Sequence, residues 1–108
     1  MTAPLISVII PAYNHERFVG AAVSSVLSQT ERDLELIVID DGSTDGTAAA
    51  VKAFHDPRLA YYHQANQDAY NALNRGLTLA RGRYLAILNS DDVYLPDLRG
   101  SGASDRPE

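Results

Sequence analysis

The sequence predicts an α/β fold, a mainly parallel sheet with helices alternating along the chain. Three observations lead there. Residues 6–10 (ISVII) and 36–39 (LIVI) are short β-branched runs without polar alternation, the mark of strands buried on both faces. The stretches between them space apolar residues as one face of a helix. Each strand-like run then stops on a polar, turn-forming cluster. The order β-α-β-α-β-α-β requires right-handed crossovers and helices packed on the sheet faces.

Taken in order, the first strand is closed by Pro11, and Asn14 is placed to cap the following helix, whose stripe is Phe18, Val19, Ala22, Val23, Val26 and Leu27. The second strand is closed by Asp40, Asp41, Gly42 and Ser43. Ser43 or Thr44 then caps a helix carrying Ala48, Val51 and Phe54. Residues 59–63 form a weaker, aromatic strand. Ala72, Leu73, Gly76, Leu77 and Ala80 stripe a third helix expected to end at Gly82, and residues 84–88 give a fourth strand that runs straight into Asn89, Ser90, Asp91 and Asp92.

Composition narrows the function. At 108 residues the chain has room for one domain, and its 45% hydrophobic content supports a modest core. Fourteen acidic against nine basic residues, a formal charge of -5, argue against a nucleic-acid footprint and against a polybasic membrane anchor. Cysteine is absent, so thiolate metal sites and disulfides play no part. There is no leader-like N-terminus and no apolar run of the ~20 residues that a membrane span needs. The chain therefore reads as cytoplasmic, with the inner face of the membrane a natural location for a longer protein.

Ligands of open α/β sheets bind outside the C-terminal strand ends, where strand order reverses. Pro11, Ala12, Tyr13 and Asn14 follow the first strand, Asp40 to Ser43 the second, and Asn89 to Asp92 the fourth, so three loops are expected on one rim. Asp40, Asp41, Asp45, Asp91 and Asp92 would repel one another there unless a cation neutralises them. Mg²⁺ or Mn²⁺, held by one or two carboxylates and completed by water and phosphate oxygens, suits such a rim. Neither a P-loop nor a GxGxxG follows the first strand, so metal rather than backbone amides would carry a phosphate. Blander readings stand beside these: Asp40 and Asp41 as a turn and helix cap, Asp91 and Asp92 as a solvated loop before Pro96, Tyr13 as a surface aromatic. Tyr61, Tyr62 and Tyr70 read as packing residues, and His15, His55 and His63 as surface residues without ligand spacing. Arg75, Arg81 and Arg83 read as cations favouring the C-terminal dipole of the third helix.

Four stretches together, residues 7–14 (SVIIPAYN), 25–30 (SVLSQT), 36–47 (LIVIDDGSTDGT) and 88–92 (LNSDD), resemble the family 2 glycosyltransferases of Rossmann-like GT-A fold. The resemblance covers about residues 5–97. It implies an inverting transferase that moves a sugar from a nucleotide diphosphate donor, a UDP-sugar by preference, to an unknown acceptor, with Mg²⁺ or Mn²⁺, in work such as cell-envelope polysaccharide synthesis. By position, Pro11, Ala12, Tyr13 and Asn14 would line the nucleotide pocket. Asp40 and Asp41 would address base and ribose. Asn89 and Ser90 would sit beside the donor, and Asp91, then Asp92, would ligate the metal. Asn89 stands where the family usually has Asp, Asp68 where it often has Gly, and Leu73 where it often has Arg.

The resemblance also implies a catalytic base on a later segment, and no residue of this sequence is assigned to it. Residues 1–97 thus read as a partial nucleotide-sugar-binding domain, cut after its fourth strand. Residues 98–108 read as a disordered Gly/Ser-rich tail resembling a truncated or frameshifted end. Such a sheet would expose apolar surface and invite self-association. Two other classes remain open: a non-catalytic nucleotide-binding remnant or interaction module, and a phosphoacceptor receiver domain. The second lacks a Lys on a late strand tip, because Lys52 lies within the second helix.

Overall fold

The structure is a computed structural model that describes residues 3–89 and 104–105. Among them the elements run β1 (Ile6–Ala12), α1 (Val19–Leu27), β2 (Leu34–Asp41), α2 (Thr47–Lys52), β3 (Leu59–Gln64), α3 (Ala69–Leu79), β4 (Tyr84–Ile87) and β5 (Ser104–Asp105). The sheet order is β3-β2-β1-β4-β5. Strands β1 to β4 are parallel, and β5 pairs antiparallel to β4 through Tyr84↔Asp105 and Leu85↔Ser104. The chain thus steps outward from β1 to β3 on one side and then returns to the other side of β1 as β4. The switch point lies between β1 and β4.

Strand alternation divides the core into two layers. Ile6, Val8, Ile10, Leu34, Leu36 and Val38 face Val19, Ala22, Val23 and Val26 of α1 and Val51 of α2. Ile9, Ile37 and Ile39 face the opposite way, onto α3 at Ala72 with Leu73 and Leu77. Each fully buried Ile, Val or Leu among these contributes roughly 1.5–3 kcal/mol of transfer free energy, which is why the two runs without polar alternation become the interior strands β1 and β2. Strand β4 is less covered than its sequence suggests: Ile87 is 47% exposed. Ile87 pairs with Ile9 and so faces the α3 side, but α3 packs over β1 and β2 instead.

Several local expectations give way to longer-range packing. Pro11 does not end β1, which continues to Ala12. Leu88 N–H donates to Ile9 O at 3.0 Å, so Ile9, and by alternation Pro11, turn their main-chain groups toward β4. The missing N–H therefore falls where the β4 ladder is ending, and the pairing with β2 loses no bond. Helix α1 begins at Val19, with Phe18 at the cap position and exposed, so Phe18 drops out of the buried stripe and Asn14 caps nothing. Helix α2 begins only at Thr47 with Gly46 before it; neither Ser43 nor Thr44 is its cap.

At α3 the cap is Asp68, whose side chain accepts Asn71 N–H at 2.8 Å. The helix stops at Leu79 with no basic residue in its last turn, so Arg75, Arg81 and Arg83 do not serve its dipole as expected. Arg75 donates to His63 O at 3.2 Å and lies over the Tyr62 ring, while Arg81 pairs with Glu35 at 3.3 Å. Gly82 is not the helix terminator either; it is packed against β1 at Ser7. In the tail read as disordered, Ser104–Asp105 form the short strand β5.

Candidate functional site

Beyond the C-terminal tips of β1 and β2 lies a cavity of about 540 Å³. It is walled by Pro11, Ala12, Tyr13 and His15 after β1, by Asp41 at the tip of β2, by Asn66, Gln67, Asp68 and Ala72 ahead of and within α3, and by Asn89 after β4. The volume falls in the range of small-molecule sites, and the position is the switch point of the sheet. Of the rim residues read from sequence, Pro11, Ala12, Tyr13, Asp41 and Asn89 therefore share one cavity. Ser90, Asp91 and Asp92 lie outside the described residues.

Asp40 and Asp41 part company because successive residues of a strand point to opposite faces. Asp41, 3% exposed, turns to the cavity. Its Oδ1 accepts from Gln64 Nε2 at 2.9 Å and from Gln67 N–H at 3.0 Å, and its Oδ2 from Asn66 Nδ2 at 3.4 Å. Asn66 Nδ2 also donates to Asp41 O at 2.9 Å. The next residue, Gly42, has φ +77, and a Cβ there would stand 2.5 Å from Asn66 N, so only glycine lets the loop pass this close to Asn66.

Asp40 is fully buried on the other face. Its Oδ1 accepts Ser43 N–H at 2.9 Å and its Oδ2 the Tyr61 hydroxyl at 2.5 Å, so it secures the turn after β2 and is not part of the cavity wall. Burial first, and then the bond to Asp40, push the Tyr61 phenol well above the ordinary tyrosine range. A raised pKa stabilises the fold fully below the unfolded value, 10.0, and that contribution is lost as pH rises through the higher folded value. Urea unfolding across this alkaline range is expected to show stability falling above about pH 10, with the slope reduced in Tyr61→Phe; an unchanged slope would detach Tyr61 from the effect.

The loops after β1 and β2 are stitched together. Asn14 N–H donates to Ser43 Oγ at 2.9 Å, and Thr44 N–H to Asn14 Oδ1 at 2.8 Å. His15 N–H reaches Thr47 Oγ1 at 3.0 Å, and Glu16 N–H reaches Asp45 Oδ2 at 3.2 Å. Asp45 is also held by Thr47, whose hydroxyl bond chiefly lowers the Asp45 pKa. Asp45 is therefore a loop fastener and not a wall of the cavity. Asn14 likewise is not among the wall residues; it ties the two loops to each other.

Sequence reading missed five wall residues: His15, Asn66, Gln67, Asp68 and Ala72, the last read only as part of the third helix's apolar stripe. Asp68 had a usable signal, a cap-type residue just ahead of the α3 stripe. Asn66 and Gln67 had none, since what brings them to the cavity is Asp41, some 25 residues earlier. Among the described residues no trio of His, Asp or Glu forms a metal-ligand group. The described wall carries the carboxylates of Asp41 and Asp68 and neither Lys nor Arg. Leu73, at the position where the resemblance leads one to look for Arg, packs into the core with Ile9 and Ile37.

Known proteins carry the same pattern. A model of the family described as "Glycosyl transferase family 2" matches residues 7–100. An uncharacterized glycosyltransferase of Rickettsia conorii is 44% identical over 96 residues, covering 85% of this chain and 15% of its own length. The chondroitin synthase of Escherichia coli is 41% identical over 96 residues, covering 87% of this chain and 14% of its own. Among solved structures, S. aureus TarS in complex with UDP superposes with a TM-score of 0.82 at 26% identity, covering 89% of this chain and 30% of that one. The mannosyltransferase PcManGT of Pyrobaculum calidifontis, solved with GDP-Man and Mn²⁺, gives 0.77 at 29% identity, covering 87% and 29%. The chain spans less than a third of the length of each of these proteins. With its parallel sheet, its switch-point cavity and this match over residues 7–100, the chain belongs to glycosyltransferase family 2 and has the GT-A fold.

Proposed function

We propose that this chain carries the donor-binding and metal-binding part of an inverting glycosyltransferase, which moves a sugar from a nucleotide diphosphate, with UDP preferred, to an acceptor. The observation that carries the reading is Asp41, a nearly buried carboxylate at the wall of a cavity that Tyr13 also lines. Asp41 Oδ2 makes one long bond and keeps acceptor capacity for a base N–H or a ribose hydroxyl. Tyr13, with the Pro11 and Ala12 backbone, offers a stacking surface for the base, and the Asn89 amide offers a partner for a ribose hydroxyl. Asp40 serves the same site indirectly, by fixing the turn that follows Asp41.

A divalent cation fits the chemistry of this wall, which is acceptor-rich and free of Lys and Arg among the described residues. Asp91, with Asp92, would hold it, and when bound it supplies the positive charge that a diphosphate would otherwise lack there. The reaction itself is a displacement: an acceptor hydroxyl, giving up its proton to a base, bonds to the anomeric carbon from the side opposite the nucleotide diphosphate as the carbon–oxygen bond to that diphosphate breaks, which inverts the carbon. The UDP bound by TarS and the GDP-Man and Mn²⁺ bound by PcManGT support this donor class.

Calorimetric titration of UDP-sugars and GDP-sugars, with and without Mn²⁺, tests the reading. The expected result is Mn²⁺-dependent binding that favours UDP and is lost in Asp91→Ala with the fold intact. Failure of both donors to bind in the presence of metal would refute it. Unchanged affinity in Asp91→Ala would move the metal to other ligands.

A further inference from the structure

We propose that Asn14 is a positioning residue that sets the aim of Tyr13 into the cavity; the inference rests on the donor-site reading given above. Tyr13 lines the cavity yet is 47% exposed, so packing covers only part of it and the backbone on which it stands contributes to its direction. The residue that follows it has an unusual conformation: Asn14, at φ 51, is the one non-glycine residue with positive φ among those described. Asparagine tolerates this left-handed region better than other side chains, but the region still needs compensation.

The compensation comes from the neighbouring loop. Asn14 N–H donates to Ser43 Oγ at 2.9 Å, and Asn14 Oδ1 accepts Thr44 N–H at 2.8 Å, so both ends of one residue are gripped by consecutive residues 29 and 30 positions later. That loop is in turn anchored to the tip of β2. Ser43 N–H binds the fully buried Asp40, and Gly42 passes against Asn66, which holds Asp41. Tyr13, just after β1, and Asp41, the last residue of β2, are thereby referred to one hydrogen-bonded frame. Asn14 touches no cavity space itself; its effect on a ligand passes through the ring before it.

A double-mutant cycle on the full chain, titrated with UDP and Mn²⁺, separates this role from a general contribution to folding. Asn14→Gly keeps the left-handed backbone and deletes the amide; UDP is expected to bind about five- to tenfold more weakly. In a Tyr13→Ala background the same substitution is expected to change affinity less than twofold. Asn14→Asp, which retains the acceptor for Thr44 N–H, is expected to stay within about twofold of wild type. Ser43→Ala removes the other grip and is expected to repeat the background dependence should Asn14→Gly fold poorly. Equal losses in both backgrounds, or wild-type affinity in Asn14→Gly, would overturn the inference alone. A wild-type chain that binds no UDP would overturn the donor-site reading and this inference with it.

Discussion

Asp41→Asn is expected to weaken UDP binding by about ten- to a hundredfold, roughly 1.4–2.8 kcal/mol, while changing unfolding free energy by no more than about 1 kcal/mol. The separation follows from how the two carboxylate oxygens are used. Oδ1 accepts from Gln64 Nε2 and Gln67 N–H, and the asparagine carbonyl can take over both bonds. Oδ2 faces only the 3.4 Å contact with Asn66, and there the substitution exchanges an acceptor for a donor. The fold keeps its two shorter bonds; a ligand N–H or hydroxyl meets the wrong partner. Asp41→Ala would instead remove all three side-chain bonds and is expected to cost about 2–4 kcal/mol of stability as well. Calorimetry with UDP and Mn²⁺, run beside urea unfolding of both variants, checks the pair. If Asp41→Asn bound UDP as wild type does, Asp41 would be a loop anchor and the donor would make its contacts elsewhere.

The contrast between Asp41 and Asp40 also marks how far sequence carries. The runs at residues 6–10 and 36–39 were legible because a strand buried on both faces needs no partner to declare itself. Their acidic and polar tips were legible as a rim for the same reason, since turn chemistry is local. That adjacent aspartates on one strand must face opposite layers also follows from period-2 geometry. Which of them faces the cavity depends on the side of the sheet that α3 takes, and the residues of β2 do not encode that. Asn14 was read as a helix cap because caps are the local use of asparagine, whereas its actual partners lie about 30 positions away. Asn66 and Gln67 were invisible for the same reason. Sequence patterns report short-range physics, and this cavity is closed by contacts between loops far apart in the chain.

Gly82→Ala is the second large effect, and it acts from the end of the sheet opposite the cavity. The expected loss of stability is about 3 kcal/mol, at the upper end of ordinary overpacking, because the obstacle is a central strand's backbone. A Cβ on Gly82 would lie 2.5 Å from Ser7 N, 2.6 Å from Ser7 Oγ and 2.8 Å from Ile6 C. Residue 82 also donates its N–H to Ser7 Oγ at 2.7 Å, and Ser7 Oγ donates to Glu35 Oε2 at 2.5 Å. Glu35 Oε2 takes Arg81 N–H at 2.7 Å, and Tyr84 N–H reaches Leu5 O at 2.9 Å. These contacts fix where β4 begins beside β1, and the ladder from Ile6↔Tyr84 to Ile9↔Ile87 passes that placement along the strand to Asn89. An added methyl must push this start away from β1, so the folded Gly82→Ala chain is also expected to bind UDP more weakly, by about threefold or more, although residue 82 is not at the cavity. Urea unfolding and UDP titration below the unfolding transition test the two halves separately. Stability within about 0.5 kcal/mol of wild type would mean that the segment before β4 can yield without strain. Lost stability with unchanged UDP affinity would mean that the Asn89 end of β4 is held by something other than its register on β1.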